Sequence, residues 1–260
     1  MYKNIGQYYI KNGDILDASE FEFDFTDQKI LYEVIRVIDN HPLFLDDHLE
    51  RLKHSLRKSG VTCEIGDLKF LVNRLIDTNP PMDKNIKIDV TNYSFRLYFM
   101  ESFYPEKDKY DKGVKTITAS IERDNPTVKR LNMSYKNTIN EIKGDNFEVL
   151  LVNSLGKITE GSRANLLFIK DKTLYSTPLD EILVGVTFKN IIKMAENLHV
   201  PIKFQSIDLN DISQMEACFL TGTSLGVLPI KQVDDVIYDS SNHDIVLQLM
   251  EAYKTQVKGD

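Results

Sequence analysis

Three short segments carry residue types that do chemistry only when a fold positions them. In TEGSRANLLF a carboxylate, Glu160, precedes a turn of small residues that leads into an apolar strand. In TGTSLGVLP, the residues Gly222, Thr223, Ser224 and Gly226 follow another apolar stretch, a composition that turns several backbone N–H groups toward one point and suits a phosphate or carboxylate. In LVGVTFKNII, Gly185 and Thr187 fall at a predicted helix start, where the first amides lack intrahelical partners and attract anions. Each segment alone also has an ordinary reading: a hairpin with a surface glutamate, a plain loop between strands, and a threonine N-cap.

The elements around these segments read as mixed helix and sheet. DDHLERLKHSLRKSG lines up Leu49, Leu52 and Leu56 on one stripe, with Asp46 or Asp47 as the expected N-cap and Gly60 as a left-handed end. A second helical pattern, DLKFLVNRLIDT, stops at Asn79-Pro80-Pro81, and NIKIDVTN and SFRLYFME then alternate like paired strands. One more strand, KTITASI, precedes the charged stretch IERDNPTVKR with its Pro126, which predicts a domain boundary: residues 1–120 form a small N-terminal α/β domain and 121–260 a larger one. Beyond it, EVLLVNS, ANLLFIKD and EACFLTG read as strands, Gly156 as a turn, and VTFKNIIKMAENLH and IVLQLMEAYK as amphipathic helices.

The 260 residues are 42% hydrophobic and 27% charged, enough for one large or two modest cores. A net charge of -7 argues against nucleic acid or an acidic membrane surface as partner. Cys63 and Cys218 stand far apart without metal-ligand spacing, so neither a disulfide framework nor a metal site is expected. No apolar run reaches the ~18 residues that span a bilayer, and the first residues lack a signal-peptide core. A cytoplasmic location is the expectation.

Taken in order, LYEVIRVIDNHPLFLDDHLERL, VKRLN, ITEGSRANLLFI with TPLDEILVGVTF, and TGTSLGVLPI resemble the class IV aminotransferases. That family comprises branched-chain aminotransferases, D-amino acid aminotransferases and aminodeoxychorismate lyases. The resemblance implies a two-domain α/β fold of the D-amino acid aminotransferase-like type (fold type IV), with pyridoxal 5′-phosphate between the lobes and a homodimeric assembly. It implies that Lys129 carries the cofactor as a Schiff base and moves protons, a task for which a lysine needs a lowered pKa. Glu160 is implied as the partner of the pyridine nitrogen and Arg51 as a holder of the phosphate. Val186, through its amide, Thr187 and Thr223 are implied as the remaining phosphate contacts, and Tyr32 as a wall of the substrate pocket.

The residues themselves leave other readings open. Lys129 also fits a surface lysine beside Arg130, Arg51 fits an i to i+4 pair with Asp47, and His48 on the same helix fits a structural hydrogen bond. Phe188 stands where many relatives have arginine, and the strand pair ending RLYFMESFYP offers Met100, Glu101 and Ser102 where some relatives grip the substrate carboxylate with arginine. That carboxylate is therefore expected on the amides of the Thr223-Ser224-Leu225 turn. The implied reaction is transfer of an amino group between an amino acid, branched-chain or D, and a 2-oxo acid. Two alternatives are a 4-amino-4-deoxychorismate lyase releasing pyruvate, and a non-catalytic relative that binds the cofactor or another phosphate ligand.

Overall fold

Strand β3 (Leu31–Ile38) sets the pattern for the first half of the chain, because its side chains alternate strictly between buried and half-buried. Leu31, Ile35 and Val37 point to one side, where they join a core with Leu49 and Leu52 of helix α1 (Leu45–Ser59) and Leu71, Val72 and Leu75 of helix α2 (Leu68–Thr78). Gly60 ends α1 in the left-handed region at φ 69°, as expected, but the N-cap is Phe44, itself left-handed and without a side-chain cap bond. Asp46 and Asp47 lie inside the first turn instead, where they complement the helix dipole. Asp67 caps α2 by accepting from the amide of Phe70 at 3.1 Å.

The computed structural model describes residues 3–23 and 29–259, and the chain divides into two compact units. The first comprises the residues up to Phe103 together with Val128–Leu131; the second comprises Tyr104–Thr127 and Asn132–Gly259. Among the described residues, the first unit holds a six-stranded sheet. Strands β1 (Tyr8–Lys11) and β2 (Asp14–Asp17) precede β3, β4 (His41–Pro42) follows it, and β5 (Asn85–Val90) and β6 (Phe95–Met100) complete the order β2-β1-β6-β5-β3-β4. The expected pairing of β5 with β6 is antiparallel and unbroken from Asn85↔Met100 to Val90↔Phe95.

The second unit holds a ten-stranded sheet among the described residues. Its first strands are β7 (Val114–Ser120), β8 (Glu148–Val152), β9 (Lys157–Gly161), β10 (Asn165–Lys170) and β11 (Thr173–Ser176). Then come β12 (Ile202–Phe204), β13 (Ile207–Asp208), β14 (Ala217–Gly222), β15 (Gly226–Val233) and β16 (Val236–Ile237). A short helix, α3 (Lys107–Lys112), precedes β7, and α4 (Met133–Lys143) lies against β7 and β8. Helix α5 (Val186–Asn197) packs on β14, and α6 (Asp244–Gly259) packs on β15 and on α5.

The domain division departs from the boundary at residue 120 for two physical reasons. Strand β7 is hydrogen-bonded in parallel to both β15 and β8, which ties residues 114–120 to the second sheet. Val128–Leu131 returns to the first unit, where Arg130 bridges Leu31 and the amide of Tyr32 donates to the carbonyl of Lys129 at 3.2 Å. No helix among the described residues is long and apolar enough to cross a membrane.

Gly226 starts β15 at φ +59°, and a Cβ there would sit 2.7 Å from the Tyr253 ring of α6. Both the backbone conformation and the contact exclude a side chain. Gly226→Ala should lower stability by about 1 to 3 kcal/mol, measured as a lower midpoint in urea unfolding. An unchanged midpoint would mean that α6 is not seated on β15 as described.

Candidate functional site

The first unit brings together Tyr32, Arg51 and Lys129. Neighbours on β3, Tyr32 and Glu33 point to opposite faces, and each organises one cation. Glu33 takes a core-facing position with 0% exposure and accepts two parallel bonds from Arg51, Nε to Oε1 at 2.8 Å and Nη2 to Oε2 at 2.7 Å. His48 Nδ1 lies 2.9 Å from Glu33 Oε2. Burial alone would push the Glu33 carboxyl up, but the charge and bonds of Arg51, with help from His48, outweigh it and hold the group down at about 2. Burial pushes the His48 imidazole down, with the charges of Arg51 and Lys129 acting in the same direction against Glu33. His48 is therefore a neutral donor to Glu33, the structural role expected of it. Arg51 is committed through this fork to Glu33, a partner that neither sequence reading of Arg51 contained.

On the other face, the Lys129 ammonium lies 4.7 Å from the centroid of the Tyr32 ring. Its backbone amide reaches Ser55 Oγ of α1 at 3.5 Å, and the residue is half-buried. Lys129 thus stands beside β3, whereas Lys136 and Lys143 lie within α4 of the second unit.

The second unit gathers Glu160, Val186 and Thr187 around Asn165. Glu160 is 3% exposed and sits within β9, so it is not the surface glutamate of a hairpin. Its Oε2 accepts from the amide of Leu183 at 3.3 Å. Asn165 then fixes the start of α5: its Nδ2 donates to the carbonyl of Leu183 at 2.8 Å and its Oδ1 accepts from the amide of Gly185 at 3.1 Å. Gly185 is the N-cap, without a side-chain cap bond, which places Val186 and Thr187 in the first turn and corrects the reading of Thr187 as a cap. A Cβ on Gly185 would lie 2.3 Å from Asn165 Oδ1, so only glycine lets the chain pass this close. Phe188 is 1% exposed and belongs to the core, which accounts for an apolar residue at that position.

Asn165 pairs with Thr221 across β10 and β14, and Thr223, Ser224 and Leu225 form the turn beyond β14. Here the expectation needs correction. The amide of Leu225 closes the turn by donating to the carbonyl of Gly222 at 2.9 Å, so it is not a donor for a substrate carboxylate. Glu101 is exposed and pairs with Lys84 at 3.3 Å.

Arg123 and Tyr135 escaped the sequence reading. Arg123 Nε lies 3.4 Å from Glu160 Oε1, its Nη2 donates to the carbonyl of Ser162 at 2.6 Å, and its guanidinium stands 5.6 Å from the Tyr135 ring. The Tyr135 hydroxyl donates to the same carbonyl at 3.4 Å, and Ser162 Oγ donates to Glu148. The one signal in sequence was an arginine inside IERDNPTVKR, which read as a charged linker.

The sequence model of the family described as "Amino-transferase class IV" matches residues 30–233. A D-alanine aminotransferase of Bacillus licheniformis is 25% identical over 248 residues, covering 86% of this chain and 87% of that protein. An aminodeoxychorismate lyase of Bacillus subtilis is 24% identical, covering 97% and 93%. The crystal structure of a branched-chain amino acid aminotransferase from Thermobaculum terrenum, in its PLP form, superposes with a TM-score of 0.83 at 20% identity, covering 99% of this chain and 95% of that one. The two-domain α/β fold expected from sequence is the fold of that structure.

Glu33 titrates well below the ordinary 4.5, so its stabilisation is complete above pH 4.5 and is lost as the pH falls toward about 2. The loss should be on the order of 3 kcal/mol. Glu33→Gln, which leaves the Arg51 charge uncompensated, should cost about 3 to 5 kcal/mol at neutral pH and flatten the acid limb. Denaturant unfolding from pH 7 down to pH 2.5 measures both; an acid limb of equal steepness in the variant would remove Glu33 from this role.

Proposed function

The chain belongs to the class IV aminotransferase family, and on that premise we infer that it is a pyridoxal 5′-phosphate enzyme that transfers an amino group between an amino acid and a 2-oxo acid. The observation that carries this reading is the placement of Lys129, half-buried beside β3 with its ammonium 4.7 Å from the centroid of the Tyr32 ring. The donor set also fits the group. It offers a primary amine, a buried carboxylate, a guanidinium pre-oriented by Glu33, and the first-turn amides of a helix whose start is locked by Asn165.

Bound pyridoxal 5′-phosphate supplies an electrophilic carbonyl carbon and a ring that takes up the electron pair released at the substrate Cα. In this reading Lys129 Nζ would hold the cofactor covalently, and its free amine would take the proton from the substrate Cα and return it. Glu160 holds a proton on the pyridine nitrogen. Arg51, the amides of Val186 and Thr187, and the hydroxyls of Thr187 and Thr223 bind the phosphate. Tyr32 orients Lys129 and borders the substrate, and Ser224 faces the substrate carboxylate. A homodimer is part of the same proposal.

A second reading, 4-amino-4-deoxychorismate lyase, is favoured by the match to the Bacillus subtilis enzyme over 97% of the chain. It uses the same lysine and the same carboxylate and differs in the bond broken.

Purified protein titrated with pyridoxal 5′-phosphate should turn yellow, and borohydride reduction followed by peptide mass mapping should place the added mass on Lys129. Lys129→Ala should lose that adduct and slow turnover by at least ~10³-fold. Glu160→Gln should keep the cofactor and lose on the order of 10²-fold in kcat. Label on another lysine, or full turnover in the Lys129 variant, refutes the assignment; assays with L- and D-amino acids and with aminodeoxychorismate separate transaminase from lyase.

A further inference from the structure

Glu148 opens β8 at 1% exposure, in a strand whose other residues are apolar and buried. Packing alone calls for an apolar residue there, since a carboxylate taken out of water is costly unless donors meet it. The Val149 amide donates to its Oε1 at 2.9 Å, the Ser162 hydroxyl donates to the same oxygen, and Arg163 Nε lies 3.6 Å from Oε2. The Arg163 side chain is 59% exposed, so its ion pair with Glu148 is screened and weak. The directed bond from Ser162 is what joins Glu148 to the turn after β9.

Ser162 is committed to β8 twice over. Its amide donates to the Val149 carbonyl at 2.8 Å, and its hydroxyl is taken by Glu148. The turn also lies close on the carboxylate, because a Cβ on Gly161 would meet Glu148 Cγ at 3.2 Å. With amide and hydroxyl both engaged, the Ser162 carbonyl faces the other way, where it accepts from Arg123 Nη2 at 2.6 Å and from the Tyr135 hydroxyl at 3.4 Å. That carbonyl holds one arm of a guanidinium whose Nε stands 3.4 Å from Glu160 Oε1. Glu160 Oε2 meanwhile accepts from the Leu183 amide. Glu160 therefore has a cation beside one oxygen and a backbone amide on the other.

We propose that Glu148 is a positioning residue: acting through Ser162, it fixes Arg123 beside Glu160. This rests on the reading of Glu160 as the partner of the pyridine nitrogen. A guanidinium at that distance favours the ionised carboxylate, and an ionised Glu160 leaves the proton on the ring nitrogen, where it helps the ring to take up the electron pair from Cα. Without the bond between Ser162 and Glu148 the turn is held by its backbone alone, and Arg123 loses the fixed carbonyl that aims it.

Tyr135 reports on Arg123 without any cofactor. Burial pushes its hydroxyl up, the charge and hydrogen bond of Arg123 pull it down, and Glu160 and then Glu148 push it up more weakly. Removing the Glu148 charge alone therefore lowers the Tyr135 midpoint, whereas displacing Arg123 raises it. The test places 3-fluorotyrosine at position 135 of cofactor-free protein and follows its ionisation by fluorine NMR. Glu148→Ala and Ser162→Ala should each move the midpoint to higher pH, and Glu148→Gln, which still accepts from Ser162, should move it slightly to lower pH. In cofactor-loaded protein Glu148→Ala should lower kcat about tenfold with little change in KM, and Glu148→Gln should recover most of that loss. Should Glu148→Ala fail to fold, Ser162→Ala decides, because it removes only a hydroxyl. A midpoint that is unchanged or lower in the folded alanine variants overturns the proposal, as does a raised midpoint with wild-type kcat. A protein that takes no borohydride adduct on Lys129 overturns the functional reading instead, and the fluorotyrosine titration still judges whether Glu148 positions Arg123.

Discussion

A carboxylate at a core-facing position of a strand is costly unless cations meet it, and Glu33 is met by Arg51 with both arms of its fork and by neutral His48. The arrangement joins α1 to β3 through hydrogen bonds that have direction, where the surrounding leucine and isoleucine contacts have none. It leaves the guanidinium in one orientation. The entropy of fixing this long side chain is therefore lost on folding and not on any later binding event. The strand's alternation then does the rest: with Glu33 turned toward α1, Tyr32 is forced to the opposite face, where its ring meets Lys129.

The second unit follows the same logic with a neutral side chain. Asn165 both donates to Leu183 and accepts from Gly185, so one amide side chain fixes the two ends of the turn that opens α5. Glu160 holds the middle of that network by accepting from Leu183. The carboxylate and the helix start are thereby joined through the backbone of Leu183. Gly185 is required because the asparagine oxygen occupies the space that a Cβ would need.

Much of this was legible in sequence. The stripe of Leu49, Leu52 and Leu56, the breaker at Asn79-Pro80-Pro81 and the period-two pattern of NIKIDVTN all follow from local chemistry, and the elements lie where those patterns put them. What local chemistry could not give was the partner of each charged side chain. Arg51 has Asp47 four residues away on its own helix, yet its fork is closed by a residue 18 positions distant across a sheet. The return of Val128–Leu131 to the first unit is invisible for the same reason, since nothing in VKRLN records that its carbonyl meets the amide of Tyr32. Lys87 and Asp89 read only as the polar alternates of a paired strand, because the segment packed against them, Phe21 to Phe23, lies more than sixty residues earlier.

That cover separates two kinds of constraint within one sheet. The face of β3, β5 and β6 toward α1 and α2 is constrained by close packing, where a change of one methylene is felt across the core. The opposite face carries Lys87, Asp89, Arg96 and Tyr98, whose partners are each other and a few aromatic rings. A change of charge there leaves the leucine and isoleucine contacts on the far side in place. The two faces belong to the same strands, so the Glu33–Arg51 fork and the Lys87–Asp89–Tyr98 cluster are held in one sheet. They can nevertheless vary independently.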